Sequence, residues 1–133
     1  MTQSETGLPP APIKLIAVDL DGTVLNHEQH ATPRVLAALA AARAQGVKVT
    51  IATGRNSATS RRFAEMIGVN APVVCGQGGE IYDFATGETL QALTLDRDLA
   101  CEVVRFAEGH PHWHIILYQD GEIYIQLKFL TDA

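Results

Sequence analysis

The alternation of strand and helix signals between residues 13 and 75 is the feature that most constrains the fold. Residues 13–19 (IKLIAVD) and 47–52 (VKVTIA) are short apolar runs with β-branched side chains, which are typical of buried strands. Between them, Thr32 can cap a helix over residues 34–45, which are rich in Ala and Leu. Because a helix joins them, the two strands are predicted to lie parallel, with a right-handed crossover.

A second helix and a third strand follow. Asn56 or Ser57 can cap a helix that runs to Ile67, and Gly68 is a suitable residue to end it. Residues 72–75 begin a third short strand. The first half of the chain therefore has a βαβαβ pattern, which predicts an α/β fold built on a parallel sheet.

The pattern changes near Glu80. Two strand–turn–strand patterns flank one helical pattern, and the Asp120-Gly121 pair in the second is a strong hairpin signal. The predicted elements are strands at 81–84 and 89–95, a helix at 97–108 capped by Asp96, and strands at 114–119 and 122–129. This order of hairpin, helix and hairpin indicates the beginning of a second domain after the core. Tyr118, Tyr124 and Phe129 alternate with the strand period and are expected to pack in the core of that second domain.

Composition limits the classes of partner. The 133 residues carry a formal charge of −5, and an acidic chain without basic clusters is not expected to bind nucleic acid. No apolar run approaches the roughly 20 residues of a membrane span, so no membrane partner is expected. Residues 1–12 lack the features of a signal peptide and are expected to form a disordered tail. Cys75 and Cys101 are expected to be buried, reduced thiols, as in a cytoplasmic protein.

Two carboxylates stand at the end of the first predicted strand, in the sequence LIAVDLDGTVL. Asp19 and Asp21 are two residues apart, so in an extended chain they project to the same side and can converge. Paired carboxylates repel each other unless a cation or a proton lies between them, and oxygen ligands suit Mg²⁺. Gly22 allows a sharp turn after the pair, and the hydroxyl of Thr23 can hold the loop by a local hydrogen bond.

A second group of polar residues follows the second predicted strand. Thr53, Gly54 and Arg55 come directly after that strand and before the second helix. In parallel α/β sheets the carboxyl ends of the strands form the active crevice, so Thr53 is expected beside Asp19. A hydroxyl and free main-chain N–H groups at the start of a helix favour phosphate binding. Arg55 contributes either positive charge or a salt bridge.

The string Asp-Leu-Asp-Gly-Thr and the later Thr-Gly-Arg resemble motifs I and II of the haloacid dehalogenase (HAD) superfamily of phosphohydrolases. The resemblance implies a Rossmann-like parallel core in which Asp19 is the nucleophile and forms an aspartyl-phosphate. It implies that Asp21 protonates the leaving oxygen and then acts as the base for the attacking water. It also implies that Asp19 and the main-chain carbonyl of Asp21 hold Mg²⁺, and that Thr53 and Gly54 bind the phosphoryl group.

A third match lies in the turn after the third predicted strand. Residues 75–83 (CGQGGEIYD) resemble the Asn-Gly turn that leads into the cap of Cof-type members, with Gln77 in place of the usual Asn. Those members are phosphatases of sugar phosphates and related compounds, with an α+β C2-type cap. The resemblance divides the chain into part of the core at residues 13–82 and a partial cap at residues 83–133. It implies that the substrate is a small phosphorylated metabolite, such as a sugar phosphate.

Two later motifs of the superfamily, a motif III Lys and a motif IV Gly-Asp loop, have no match in the sequence. Lys128 lies within the cap pattern, and Asp132 comes too early to be the missing metal ligand. The chain is therefore expected to be a fragment whose exposed half-core favours self-association. Two alternatives stay open, a non-catalytic module that binds phosphate or a partner and a glycosyltransferase that uses Asp-x-Asp.

Overall fold

The computed structural model describes residues 12–110, 112–119 and 122–125. Three α-helices, seven strands and one short 3₁₀ turn occur in this part of the chain. In chain order they are β1 (Leu15–Val18), α1 (Pro33–Ala44), β2 (Lys48–Ile51), α2 (Ser57–Ile67), β3 (Val73–Cys75), the 3₁₀ turn (Gly76–Gly78), β4 (Glu80–Asp83), β5 (Glu88–Ala92), α3 (Arg97–Glu108), β6 (Ile116–Gln119) and β7 (Glu122–Ile125). The predicted tail at residues 1–12 lies outside the described residues except for Pro12.

The helices begin and end where their capping residues predict. The Thr32 hydroxyl accepts a hydrogen bond from the Val35 N–H at 3.4 Å at the start of α1. Asn56, rather than Ser57, caps α2, and its side chain accepts a bond from the Thr59 N–H at 2.8 Å. Gly68 ends α2 with a left-handed backbone, φ +72°, which glycine adopts without a steric cost. Thr32 and Asn56 thus set where α1 and α2 begin, and Gly68 sets where α2 ends.

The parallel pairing predicted for the first two strands is confirmed. β1 and β2 run parallel, with Val18 paired to Ile51. A parallel bridge between Ala52 and Val74 places β3 on the other side of β2, and the Thr53 N–H donates to the Val74 carbonyl at 2.9 Å. The carboxyl ends of the three strands therefore lie at one edge of the core.

β4 pairs directly with the core strand β3. It runs antiparallel to β3, with Cys75 paired to Glu80, and antiparallel to β5 in the predicted hairpin. The predicted boundary between residues 82 and 83 falls inside β4. The division of the chain into two domains stays a prediction, but the hairpin itself is bonded to the core through β3.

The buried core lies in the first half of the chain. Its members are apolar side chains of β2, α2 and β3 together with residues from α1 and from the loop after β1. They are Leu20, Val24, Leu25, Leu39, Val49, Ile51, Phe63, Ala64, Ile67, Val73 and Cys75. Three of these, Leu20, Val24 and Leu25, anchor the loop that carries the predicted catalytic carboxylates.

The second half of the described chain buries little. After β5 only Ala107 is buried among the described residues. β6 and β7 pair antiparallel as predicted, while the Asp120-Gly121 turn and residues 126–133 lie outside the described part. Tyr118 and Tyr124 were expected to pack in a cap core, but they are 55% and 53% exposed. Among the described residues β6 and β7 form a two-stranded sheet, and no third strand pairs with them.

Two further sequence expectations concern the cysteines and membranes. Cys75 is buried, whereas Cys101 is only half-buried, and both are free thiols. Burial raises the pKa of the Cys75 thiol, which keeps it protonated and unreactive at neutral pH. None of the helices in the described ranges has the length and apolar character needed to cross a membrane.

Candidate active site

The loop after β1 presents the carboxylate of Asp19 to solvent. The Thr23 hydroxyl donates a hydrogen bond to Asp19 Oδ2 at 3.1 Å, which confirms the predicted role of Thr23. The loop turns at Gly22, φ +76°, and the Leu25 N–H closes it on the Leu20 carbonyl at 2.8 Å. Among the described residues, Asp19 Oδ1 has no hydrogen-bond donor, so one carboxylate oxygen is available to a ligand.

Asp21 is engaged by Arg55, which lies 34 residues further along the chain. Arg55 Nε donates to Asp21 Oδ2 at 2.8 Å, and its terminal nitrogen donates to Oδ1 at 2.6 Å. This bidentate pair lowers the pKa of Asp21 mainly through the hydrogen bonds from Arg55, against a smaller opposing effect of burial. The guanidinium also lies over the Phe63 ring at 4.7 Å. Of the two roles considered for Arg55, the structure therefore supports the salt bridge.

Thr53 and Gly54 lie at the same sheet edge as Asp19, as predicted. Thr53 is 6% exposed, and its hydroxyl accepts a hydrogen bond from the Arg55 N–H at 3.2 Å. A Cβ on Gly54 would collide with the side-chain amide of Gln77. Gln77 has a left-handed backbone, φ +57°, and this strained turn brings its amide against Gly54. Gln77, which sequence analysis only matched to a family turn, thus borders the predicted phosphate loop.

A cavity of about 610 Å³ adjoins the site, and Gly54 and Gly76 lie in its wall. Glu80 also lines it, and its Oε1 accepts hydrogen bonds from the hydroxyls of Ser57 and Thr89, both at 3.3 Å. Sequence analysis missed this group. The only sequence signal for Glu80 was its spacing of two residues from Tyr82, which places the two side chains on the same face of a strand.

The sequence profile of the haloacid dehalogenase-like hydrolases matches residues 16–131. This match covers most of the chain and includes both the Asp19 loop and the Thr53 loop. The chain belongs to the haloacid dehalogenase-like hydrolases. Membership confirms the predicted family and α/β fold class, and it does not support the glycosyltransferase alternative.

Curated relatives of this HAD-family chain include phosphatases. It is 31% identical over 107 residues to the pyridoxal phosphate phosphatase YbhA of Escherichia coli. The aligned region covers 80% of this chain and 39% of the relative. It is 35% identical over 101 residues to the HMP-PP phosphatase of Serratia proteamaculans, covering 76% of this chain and 35% of the relative. The chain thus spans about two fifths of the length of these relatives.

Solved structures give the same family. A haloacid dehalogenase-like hydrolase from B. subtilis superposes with a TM-score of 0.73 at 28% identity, covering 85% of this chain and 39% of that one. This HAD-family chain therefore shares its fold with that hydrolase over most of its own length.

The residues at this edge fit the magnesium ion that the family resemblance implies. Asp19 offers a carboxylate oxygen to the metal. Both carboxylate oxygens of Asp21 are bonded to Arg55, so its main-chain carbonyl is the oxygen that Asp21 can contribute. Mg²⁺ is commonly held by one or two protein oxygens, with waters and substrate phosphate completing the shell. Within residues 12–110, 112–119 and 122–125 there is no group of three or more His, Cys, Asp or Glu side chains that could hold a metal by itself.

Replacing Arg55 by Gln is expected to raise the pKa of Asp21 towards that of an unpaired aspartate. In the native chain the pKa of Asp21 is lowered, so the ion pair stabilises the fold at pH values above the ordinary aspartate pKa. This stabilisation is lost as the pH falls through the lowered pKa of Asp21. Because the Asp21 side chain is 55% exposed, the effect on unfolding is small, and the pKa itself is the better readout. A carboxyl ¹³C titration of Asp21 by NMR, in the native chain and in Arg55→Gln, measures it. An unchanged Asp21 pKa in the variant would contradict the pairing.

Proposed function

We propose that this protein is a Mg²⁺-dependent phosphomonoester hydrolase of the Cof type, acting through an aspartyl-phosphate on Asp19. The observation that carries the proposal is the exposed Asp19 carboxylate, with one free oxygen, at the sheet edge that also presents Thr53 and Gly54. A nucleophilic carboxylate and a phosphate cradle at one edge are the parts that two-step phosphate transfer requires. The family membership and the phosphatase relatives support the same reaction class.

In the first step the Asp19 carboxylate attacks phosphorus and the ester P–O bond breaks. The leaving oxygen takes a proton from the carboxyl group of Asp21. In the second step Asp21 accepts a proton from water, the water oxygen attacks phosphorus, and the bond from phosphorus to Asp19 breaks to release phosphate. Thr53 and the main-chain N–H groups near Gly54 hold the phosphoryl oxygens. When bound, Mg²⁺ offsets the repulsion between the Asp19 carboxylate and the phosphate.

The bond between Asp21 and Arg55 bears on the first step. A carboxyl group that donates a proton must first hold one, and the Arg55 hydrogen bonds favour its charged form. Binding of the phosphate dianion adds negative charge beside Asp21 and offers Arg55 another anionic partner. We therefore expect the ion pair to open when substrate binds, which allows Asp21 to take up its proton.

The substrate is proposed to be a small phosphorylated metabolite, with sugar phosphates as one class. The name of the Escherichia coli relative, a pyridoxal phosphate phosphatase, supports a small substrate with a single phosphate ester. Localisation in the cytoplasm, self-association and the lack of nucleic-acid or membrane partners stay predictions.

Release of phosphate from p-nitrophenyl phosphate tests the proposal. Turnover is expected with Mg²⁺, and EDTA is expected to abolish it until excess Mg²⁺ is added back, because the metal offsets the charge repulsion at Asp19. The control is the same titration with Ca²⁺, which prefers more ligands and longer bonds. Binding of inorganic phosphate without any turnover would instead favour the non-catalytic phosphate-binding module.

A further inference from the structure

The cavity of about 610 Å³ lies beside the phosphate loop. Its wall is formed by the first turn of α2, the β4–β5 hairpin and the end of β6. Gly54 belongs both to this wall and to the proposed phosphate cradle. A phosphate ester held at Gly54 therefore has the cavity as a neighbouring space for the group attached to its phosphorus. The volume lies within the range of small-molecule pockets, roughly 300–1,000 Å³.

Aromatic rings form part of the cavity wall. Tyr82 and Phe84 contact each other edge to face, with ring centroids 5.0 Å apart, and Tyr118 reaches the cavity from β6. The guanidinium of Arg61 lies 5.0 Å from the centroid of Phe84. Aromatic faces and a flat guanidinium favour a planar ring as their partner, because such groups stack with large contact area.

Glu80 supplies a carboxylate in the cavity wall. Ser57 and Thr89 both donate hydrogen bonds to Glu80 Oε1, and these bonds hold the carboxylate between α2 and β5. In the described part of the chain, Oε2 has no hydrogen-bond donor, and the only ion pair is that between Arg55 and Asp21. A half-buried carboxylate with a donor-free oxygen retains capacity for further hydrogen bonds. A ligand that donates a hydrogen bond would satisfy it.

We propose that this cavity binds the leaving group and that Glu80 determines its specificity, selecting phosphate esters of a planar ring that bears an amino or hydroxyl donor. The inference rests on the proposed function and narrows its substrate class. Glu80 contacts the part of the substrate that does not react, so it affects binding more than the chemical step.

The test compares Glu80→Gln with the native chain. Gln retains an Oε1 that accepts from Ser57 and Thr89, so the link between α2 and β5 is kept while the negative charge is lost. The matched control is Glu88→Gln, which removes an exposed carboxylate on β5 of the same hairpin, outside the cavity wall. Thermal unfolding of both variants checks that the fold is intact.

Three probes distinguish the contribution of a planar ring in the leaving group from that of a hydrogen-bond donor. Pyridoxamine 5′-phosphate has a planar ring with donors, phenyl phosphate has the ring alone, and glucose 6-phosphate has donors without a planar ring. Dissociation constants are measured by calorimetry in EDTA, and kcat/KM is measured with Mg²⁺. We expect the native chain to prefer pyridoxamine 5′-phosphate over phenyl phosphate by about tenfold, the effect of one hydrogen bond to a charged group. Glu80→Gln should remove this preference and Glu88→Gln should keep it.

The outcomes distinguish failure of the specificity assignment from failure of the phosphatase proposal. Selective, Glu80-dependent binding without turnover would support the specificity assignment and overturn the phosphatase proposal. Turnover of all three probes with no effect of Glu80→Gln would support the phosphatase proposal and overturn the specificity assignment. Tightest binding of glucose 6-phosphate would also overturn the specificity assignment. An equal loss for all three probes would make Glu80 a structural residue and overturn its role in specificity. Neither binding nor turnover of any probe would overturn both.

Discussion

Replacing Asp19 by Asn is expected to lower phosphate release from p-nitrophenyl phosphate by at least about 10³-fold, because the neutral amide is not a nucleophile that can form the acyl phosphate. The substitution is conservative for the fold. Asn keeps the side-chain oxygen that accepts the Thr23 hydrogen bond, and Asp19 is exposed at the end of β1 rather than part of the core. The loss should therefore fall on the chemical step and leave thermal unfolding unchanged.

The covalent step can be followed directly. Acid quenching during turnover and mass spectrometry of the peptide that contains Asp19 should detect one phosphoryl group in the native chain and none in Asp19→Asn. Asp98→Asn, an exposed aspartate in the first turn of α3, is the matched control and should retain full activity. If Asp19→Asn kept more than a tenth of the native rate, the aspartyl-phosphate mechanism would be wrong.

The elements that sequence analysis located depend on local signals. The caps at Thr32, Asn56 and Asp96 and the left-handed Gly68 act within a few residues of their own helix, so their residue types are sufficient. The parallel pairing of β1 with β2 follows from the helix between them. These local rules are sufficient to place Asp19 and Thr53 at one edge of the sheet.

The features that sequence analysis missed depend on contacts between distant residues. A salt bridge of Arg55 was expected, but not its partner Asp21, 34 positions before it. Glu80, which is held by Ser57, 23 positions before it, was missed entirely. No spacing rule applies to such pairs, since they form only when the sheet brings loops together. The pairing of β4 with β3 depended likewise on the turn at Gln77, whose left-handed backbone is unusual for a residue other than glycine.

The same limit explains the error over Tyr118 and Tyr124. Alternation along a strand predicts which side chains share a face, but not whether another element covers that face. In the described part of the chain β6 and β7 pair only with each other, and both tyrosines are exposed. Tyr118 nevertheless lies in the wall of the cavity beside Gly54.

Replacing Asp21 by Asn should slow the two chemical steps to different degrees, depending on the leaving group. An alkyl phosphate needs a proton on its leaving oxygen, so loss of the carboxyl group should lower turnover by about 10²–10⁴-fold, the usual contribution of general acid–base catalysis. p-Nitrophenolate leaves without a proton, so the first step should survive with this substrate. The second step still lacks its base, and the aspartyl-phosphate on Asp19 should accumulate.

Stopped-flow absorbance measures this difference as a burst of p-nitrophenolate, expected to equal one per chain in Asp21→Asn and to be followed by slow turnover. The substitution also breaks the ion pair, so Arg55→Gln is the matched control, because it removes the same hydrogen bonds but keeps the carboxylate. Arg55→Gln retains both proton transfers and should give no burst, while any limb of its pH–rate profile governed by Asp21 should move to higher pH. A burst in Arg55→Gln and none in Asp21→Asn would assign the effect to the ion pair and remove Asp21 from acid–base catalysis.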